Sequence, residues 1–291
     1  MARLTCCLVL AISAVAATAA AQAKPTMPKQ GDTLSLAGAP DWPQKLTWLY
    51  ASPSAGDAAG KVVLHWFCSP SPRQVAKDCA ADLERVIALR DTGHVYIIAY
   101  IAGSQYDAKK LDPIRESEGV GRGTVAFGPQ VVKLMKDLGV AEGAIVVDVE
   151  GKVKAVTTSG DLNELDARDK VVTGLAGDIH DFTTSHENPA TVRIGDKFPL
   201  TFKVQLASWL AYSQKTPMEF TLTAPKDIKC DAMALHGDQL KISGQTLIAT
   251  VTCSAPRGVY EAQGKIRFGY DTPAGAHGTG EDGATFKFEV K

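Results

Sequence analysis

The chain has 291 residues, of which 45% are hydrophobic and 22% are charged, and its formal net charge is −1. A chain this close to neutral, without a basic block, does not have the charge to attract nucleic acid or an anionic membrane surface, and its hydrophobic content excludes a disordered protein. The length supports two hydrophobic cores of ordinary size, so two domains are expected.

The first residues have the layout of a secretory signal peptide. Residues 1–23 contain one early cation, Arg3, then an apolar run over residues 8–17 and an Ala-Gln-Ala pattern at their end. The apolar run is too short to span a bilayer, so no transmembrane segment is expected after signal cleavage. We therefore predict an exported chain, secreted or periplasmic, that begins near Lys24.

A lead-in and a strand–helix–strand unit are predicted next. Residues 24–60 are rich in Pro, Gly, Ala and Ser, and they should form an extended lead-in that packs its tryptophans on the first domain. The run KVVLHWF over 61–67 is typical of a buried strand, a helical apolar pattern covers 72–90, and VYIIAYI over 95–101 is a second buried strand. This order predicts a right-handed parallel unit. His65 alternates with buried residues and should be a hydrogen-bonded core side chain.

The rest of the first domain should contain two more helices and a hairpin. A polar loop over 104–123 leads to a helix with Pro129 in its first turn and Gly139 at its end. The runs AIVVD, VEGK and VKAVT predict an antiparallel hairpin. Asp161 and Glu164 then have the spacing of a capping box at the start of a last helix.

Beyond His180 the apolar pattern changes to strict alternation. About seven or eight short strands separated by Gly, Pro and Asp turns predict an antiparallel sandwich. We place the domain boundary in 185–191. The expected domains are thus 61–184 and an all-β immunoglobulin-like sandwich over 190–291.

Four cysteines remain after the expected signal cleavage, namely Cys68, Cys79, Cys230 and Cys253. In an oxidising compartment an even number of thiols indicates disulfides, and sequence neighbours favour pairing Cys68 with Cys79 and Cys230 with Cys253, although three pairings are possible. Cys230 and Cys253 are in phase with inward-pointing strand residues, so we predict that they form a structural disulfide.

Three segments of the first domain resemble one known fold. GKVVLHWF at 60–67, HVYIIAY at 94–100 and GAIVVDVEGKV at 143–153 are similar to the thioredoxin-like superfamily, in particular to the exported redoxins, which include periplasmic thiol-disulfide oxidoreductases and are related to peroxiredoxins. The resemblance covers residues 61–178. It implies an α/β thioredoxin-like domain and a place in cell redox homeostasis.

The resemblance also places the family's C-x-x-C motif on residues 71–74, where Ser71 and Gln74 replace both thiols. The peroxiredoxin pattern puts its attacking thiol on Gln74 too, which disfavours a conventional peroxidase. The family's cis-proline before the closing strand is missing, because residues 140–144 contain no proline. Ser-Pro-x-Gln has the pattern of a helix cap, with Ser71 and Gln74 bonding each other's backbone N–H groups.

Two hypotheses for Cys68 and Cys79 remain open. Cys68 precedes a helix N-terminus, where the dipole favours thiolate, so it could attack a substrate disulfide with Cys79 as the resolving partner. Alternatively, the two residues form a buried structural disulfide or two buried thiols. The first hypothesis predicts a thiol-disulfide oxidoreductase, and the second predicts a redox-silent protein that binds an envelope protein or a small ligand.

Other polar clusters give weak signals. The segment GVGRG at 119–123 follows no strand, so we interpret it as a flexible loop and not as a phosphate cradle. His180, Asp181, His186 and Glu187 offer metal-ligand chemistry but lie in the expected linker, which we interpret as solvated. We therefore predict neither a metal nor a cofactor.

Overall fold

The computed structural model describes residues 24–113 and 124–291. The expected signal peptide at 1–23 and the segment GVGRG at 119–123 lie outside the described residues, as does the side chain of Gln74. In the described ranges, no helix combines the length and the apolar content needed to cross a membrane.

The first unit is one mixed sheet with helices on both faces. Its strands are β1 (Thr47–Trp48), β2 (Val62–Cys68), β3 (Val95–Ile101), β4 (Val125–Phe127), β5 (Glu142–Val147) and β6 (Val153–Thr157). Its helices are α1 (Ala55–Ala58), α2 (Arg73–Arg90), α3 (Gln105–Lys110), α4 (Pro129–Leu138) and α5 (Leu162–Gly177). The strand order is β1-β4-β3-β2-β5-β6, with β2, β3 and β4 parallel and β5 and β6 antiparallel. This is the predicted thioredoxin-like arrangement.

Two hydrophobic cores cover the two faces of this sheet. Every residue of β2 and β3 is buried, because helices or the lead-in cover both faces. One core packs α2 and α5 against the sheet. The other contains α4 and the lead-in, whose Trp42 is fully buried and meets Phe67 and Tyr100 with ring centroids 5.8 Å away.

Helix α3 corrects part of the expectation of a loop over 104–123, and strand β4 at Val125–Phe127 is an element that the sequence did not predict. Ser104 Oγ accepts a bond from Asp107 N–H at 3.3 Å, and Asp107 Oδ2 accepts one from Ser104 N–H at 2.8 Å, so α3 begins with a capping box. A helix of six residues and a strand of three are too short to show an apolar period.

The start of α2 differs from the expected one by one residue. The first backbone bond of α2 runs from Ala76 N–H to Pro72 C=O at 3.1 Å, so Pro72 is the N-cap and not the first helical residue. The N–H of Ser71 donates to Ser69 Oγ at 3.4 Å. The predicted cap between Ser71 and Gln74 involves the side chain of Gln74, which lies outside the described residues.

The second unit consists of two packed sheets. Its strands are β7 (Phe182–Glu187), β8 (Thr191–Val192), β9 (Phe198–Leu206), β10 (Ala211–Tyr212), β11 (Glu219–Thr223), β12 (Lys229–Cys230), β13 (Ala234–His236), β14 (Lys241–Ser243), β15 (Thr246–Ser254), β16 (Gly258–Asp271) and β17 (His277–Val290). One sheet has the order β13-β11-β16-β17-β8, with β10 on β16, and the other has the order β12-β15-β9-β7, with β14 on β15. The two sheets share one core, in which Phe198 of one sheet lies 4.7 Å from Phe288 of the other.

Strand β7 begins earlier than the expected boundary at 185–191. It pairs antiparallel with β9, so residues 182–184, which we had assigned to the first domain, lie in a sheet of the second unit. The sequence FTTSHE gave no alternation signal because Phe182 is its single large apolar residue.

Candidate functional site

Cys68 and Cys79 form a disulfide in the first unit. Cys68 is the last residue of β2, and Cys79 lies on the side of α2 that faces the sheet. Their Cα atoms are 5.7 Å apart, and the two residues are 0% and 2% exposed. The bridge therefore joins strand to helix inside the core.

The turn between β2 and α2 covers this bridge. Ser69 Oγ donates to Ser71 C=O at 2.6 Å, and Ser69 C=O lies 3.8 Å from Cys79 Sγ. Pro70 packs beside Gly103, where a Cβ would be 2.8 Å from Pro70 Cγ. Ser71 is exposed, so the solvent-facing part of the turn presents a hydroxyl group.

A carboxyl group that sequence reasoning missed lies beside the bridge. Glu142 is the direct partner of Cys68 in the antiparallel pair of β2 and β5, which places the two side chains on one face, with Cβ atoms about 5 Å apart. Glu142 Oε1 accepts a bond from Gly160 N–H at 3.0 Å. Burial raises the pKa of Glu142, the Gly160 bond opposes this, and the charges of Asp78 and Asp82 raise it further.

A buried ion pair between Asp82 and Arg168 lies near Glu142. The guanidinium of Arg168 on α5 donates two bonds of 2.8 Å to the carboxylate of Asp82 on α2, and its side chain is 0% exposed. Trp66 Nε1 of β2 donates to the same carboxylate at 2.9 Å. These bonds connect two helices and the central strand, and no local pattern in the sequence predicted them.

The carboxyl groups of Glu142, Asp78 and Asp82 have two chemical consequences for the Cys68–Cys79 bridge. Nearby carboxylates disfavour the thiolate form of any reduced cysteine, which is the form that reacts. A carboxyl group with a raised pKa, such as Glu142, is also better able to exchange a proton with a neighbouring thiol. Geometry alone thus permits either a stable bridge or an acid-assisted thiol pair.

Cys230 and Cys253 form a second disulfide, with a Cα–Cα distance of 4.0 Å. They are direct partners in the pair of β12 and β15, so this bridge lies within one sheet and does not join the two sheets. Cys253 is buried, whereas Cys230 is half-buried. The bridge is far along the chain from Cys68 and shares no residue with its surroundings.

The remaining candidates form no site. In the described part of the chain, no group of three or more His, Cys, Asp and Glu side chains is arranged to hold a metal. Asp181 accepts a bond from Tyr270 OH at 2.9 Å, and Glu187 pairs with Lys203 at 2.5 Å. His65 is 1% exposed with Nδ1 3.0 Å from a tyrosine hydroxyl, which confirms the prediction of a hydrogen-bonded core histidine.

No protein-family model matches this chain, and no curated protein matches it. Solved structures similar to it include the thioredoxin domain of a thiol-disulfide oxidoreductase from Bacteroides vulgatus, with 20% identity over 50% of this chain and 99% of that chain and a TM-score of 0.33. A thiol:disulfide interchange protein from Chlorobium tepidum shows 14% identity over 54% of this chain and 100% of that chain, with a TM-score of 0.33. A thiol:disulfide interchange protein from Bacteroides sp. shows 22% identity over 52% of this chain and 91% of that chain, with a TM-score of 0.31. The thioredoxin-like arrangement of the first unit rests on its own strand order and directions.

Proposed function

We propose that this chain is a redox-silent thioredoxin-like protein of the cell envelope that binds a partner protein or a small ligand. The observation that carries the proposal is the burial of both cysteines of the Cys68–Cys79 bridge, at 0% and 2% exposure. Exchange requires a thiolate to reach one sulfur of the disulfide, and burial under the β2–α2 turn denies that approach.

The surroundings of the bridge support the same proposal. Reactive cysteines are found in partly exposed, electropositive places, whereas Cys68 lies opposite Glu142, with Asp78 and Asp82 close to that carboxyl group. The degenerate positions of the C-x-x-C motif add support, because Ser71 is an exposed residue that cannot form a disulfide.

A concave surface beside the β2–α2 turn is the binding face in this proposal. This edge groove has a volume of about 720 Å³. Its lining residues are Gly103, Ser104, Phe127, Gly128, Pro129 and Val132, with Lys133 and Lys136 alongside them. Val132 is 46% exposed and presents an apolar side chain at the groove. Lys133 already pairs with Asp137, so the apolar lining next to Lys136 fits a partner segment that has an apolar side chain and an acidic flank.

The second unit completes the proposal as an immunoglobulin-like binding module. Its two packed, largely antiparallel sheets support this proposal, although its bridge lies within one sheet and not between the sheets as in antibody domains. Two disulfides fit an oxidising compartment, in agreement with the export expected from residues 1–23.

Turnover of a disulfide substrate tests redox silence. Insulin reduction with dithiothreitol as electron source should proceed no faster with the protein than without it, and the Cys68→Ser/Cys79→Ser variant should behave identically. A rate enhancement that this variant loses would refute the proposal.

A capture experiment tests the binding face. Val132→Asp should lose partners that the wild type retains from an envelope extract, and identical capture by both proteins would contradict the edge groove as the place where partners bind.

Glu142 favours a second candidate, a thiol-disulfide oxidoreductase. In this scheme the Cys68 thiolate attacks a partner disulfide, forming a mixed disulfide and releasing one partner thiolate, which takes up a proton. Cys79 then gives its proton to Glu142 and attacks Cys68 Sγ, which closes the bridge and releases the second thiol. Two electrons pass to the partner. If this candidate is correct, Cys68→Ser abolishes insulin reduction and Glu142→Gln shifts its pH profile; an inactive wild type excludes it.

A further inference from the structure

A threonine, a histidine and an aspartate of the second unit are joined by two hydrogen bonds. His277 Nδ1 lies 2.9 Å from Asp271 Oδ1, and His277 Nε2 lies 2.5 Å from Thr216 Oγ1. Asp271 ends β16 and His277 begins β17, where the two residues are direct partners. Thr216 lies between β10 and β11, 61 residues before His277, so no spacing in the sequence indicated this trio. Both bonds lie at the exposed surface of the unit.

The partners of the imidazole determine where its proton lies. An ionised carboxylate can only accept hydrogen bonds, so Nδ1–H of His277 donates to Asp271, and Nε2 of the neutral ring is left as an acceptor. The Thr216 hydroxyl therefore donates to Nε2, which is the arrangement in which a histidine can take the proton of a nucleophile. Hydrogen bonds from the side chains of His277 and Ser213 lower the pKa of Asp271, so its carboxylate stays ionised.

Contacts with β16 hold the threonine in place. A Cβ at Gly269 of β16 would lie 2.5 Å from Thr216 Cβ and 2.6 Å from Thr216 Oγ1, so the glycine makes room for this side chain. Ser213 is fully buried, and its N–H donates to Gly269 C=O at 2.9 Å. Lys215 N–H donates to Ser213 Oγ at 3.3 Å. The segment that carries Thr216 is therefore fixed to the sheet.

A groove beside the threonine offers space for a substrate. It has a volume of about 410 Å³, which suits a small molecule, and we name it the hairpin groove. Thr216, Arg267, Thr279 and Glu281 are among the residues that line it. Arg267 Nε lies 3.0 Å from Glu281 Oε2. Because a guanidinium has five N–H donors, Arg267 can also donate to a carbonyl oxygen in the groove and stabilise negative charge that develops on it.

We propose that this trio is a catalytic site that hydrolyses small carboxylic esters, with Thr216 as nucleophile, His277 as general base and Asp271 as the residue that positions the imidazole. Thr216 Oγ1 bonds to the ester carbonyl carbon while His277 Nε2 takes the hydroxyl proton. The bond between that carbon and the alcohol oxygen then breaks, and the alcohol leaves with the proton. Water attacks the acyl-threonine in the same way, which releases the acid and restores the Thr216 hydroxyl. This chemistry uses no cysteine and is additional to the proposed function.

Hydrolysis of p-nitrophenyl acetate by the full chain tests the proposal. Thr216→Val and His277→Gln should each lower the rate above buffer by about 10²-fold, and the double variant should be no slower than either, because the two side chains act in one step. Exposed imidazoles can attack this ester directly, so His180→Gln, which removes an exposed histidine elsewhere, serves as the control and should keep the wild-type rate. A wild-type rate no higher than that of Thr216→Val would overturn the proposal.

A fluorophosphonate probe identifies the nucleophile in the unaltered protein. Thr216 Oγ1 should displace fluoride from phosphorus, so that mass spectrometry of the digested wild type finds one phosphonyl group on this residue. Thr216→Ser keeps the hydroxyl and should still be labelled at this position, whereas His277→Gln should be labelled much more slowly. A wild type without an adduct on Thr216, or equal labelling rates with and without His277, would show that the trio only ties the β16–β17 hairpin to its neighbouring segment.

Discussion

The two aromatic side chains that contact His65 show how a core holds a buried histidine in one place. Trp42 and Tyr100 hold the imidazole between the lead-in and β3, and burial raises the pKa of Tyr100, so that this hydroxyl stays protonated as a donor. A neutral histidine in this place couples protonation to unfolding, because water can solvate the imidazolium only when the chain opens.

The free energy of unfolding should therefore depend on pH through His65. Its pKa is about 3 in the folded state and about 6.5 in the unfolded chain, so between these values the unfolded state binds more protons. Stability should be fully present above pH 6.5 and should fall by up to about 1.4 kcal/mol per unit as the pH drops toward 3. Chemical denaturation should show this slope in Tyr100→Phe and not in His65→Phe/Tyr100→Phe. If the stability of the two variants depended on pH in the same way, His65 would not be the source of the slope. His180→Gln removes an exposed histidine and serves as the control, because it should leave the slope unchanged.

At the scale of elements, α2, α5 and β2 are locked by the Asp82–Arg168–Trp66 bonds. A buried ion pair is costly to form, yet leaving one partner behind is costlier, because the remaining charge has no water. The same two helices also carry an outer pair, Arg85 with Asp169, in which the arginine side chain is 31% exposed. Substitutions of Arg168 and Arg85 therefore compare the loss of a buried ion pair with the loss of a partly exposed one between the same two helices.

Arg168→Met should lower the free energy of unfolding by about 3–5 kcal/mol, since it leaves Asp82 buried with only Trp66 as a partner. Arg85→Met should cost less than about 1 kcal/mol. In Asp82→Asn/Arg168→Met no buried charge remains, so part of the loss should be recovered. Urea denaturation gives all three values, and similar costs for the two arginines would contradict the account.

Elements with local signals could be predicted from the sequence, and those that depend on strand pairing could not. Pro129 and Gly139 set the ends of α4 because proline suits a first turn and Gly139 has a left-handed φ of 72°. Asp161 caps α5, as its side chain accepts the N–H of Asn163. Glu142 gave no signal, because its place beside Cys68 comes from the pairing of β2 with β5.

At the scale of the whole molecule, the two units contact each other near the start of β2. Gly60 has φ of 69°, and a Cβ there would lie 2.3 Å from Trp209 of the second unit, so this glycine allows both the turn and the close approach of the indole. Sequence patterns gave two units but not this contact, because neither residue belongs to a periodic element.

Gly60→Ala should destabilise the protein by about 1–3 kcal/mol, through the positive φ and through displacement of the indole. Trp209→Ala removes the obstacle, so the cost of Gly60→Ala should be smaller in that background. Thermal unfolding of the two single variants and the double variant measures this coupling. Additivity within about 0.5 kcal/mol would contradict a direct contact.

The most direct measurement of the central claim is the accessibility of the Cys68–Cys79 bridge in the folded protein. The full chain is held in dithiothreitol at neutral pH, and timed samples are alkylated with an excess of iodoacetamide, so that mass spectrometry follows labelling of both cysteines while circular dichroism follows the fold. If the bridge is structural, labelling should occur only at the rate of unfolding and should accelerate in parallel with it as urea is added. Complete labelling within minutes of a chain that keeps its native spectrum would show that the bridge is open to exchange and would contradict redox silence.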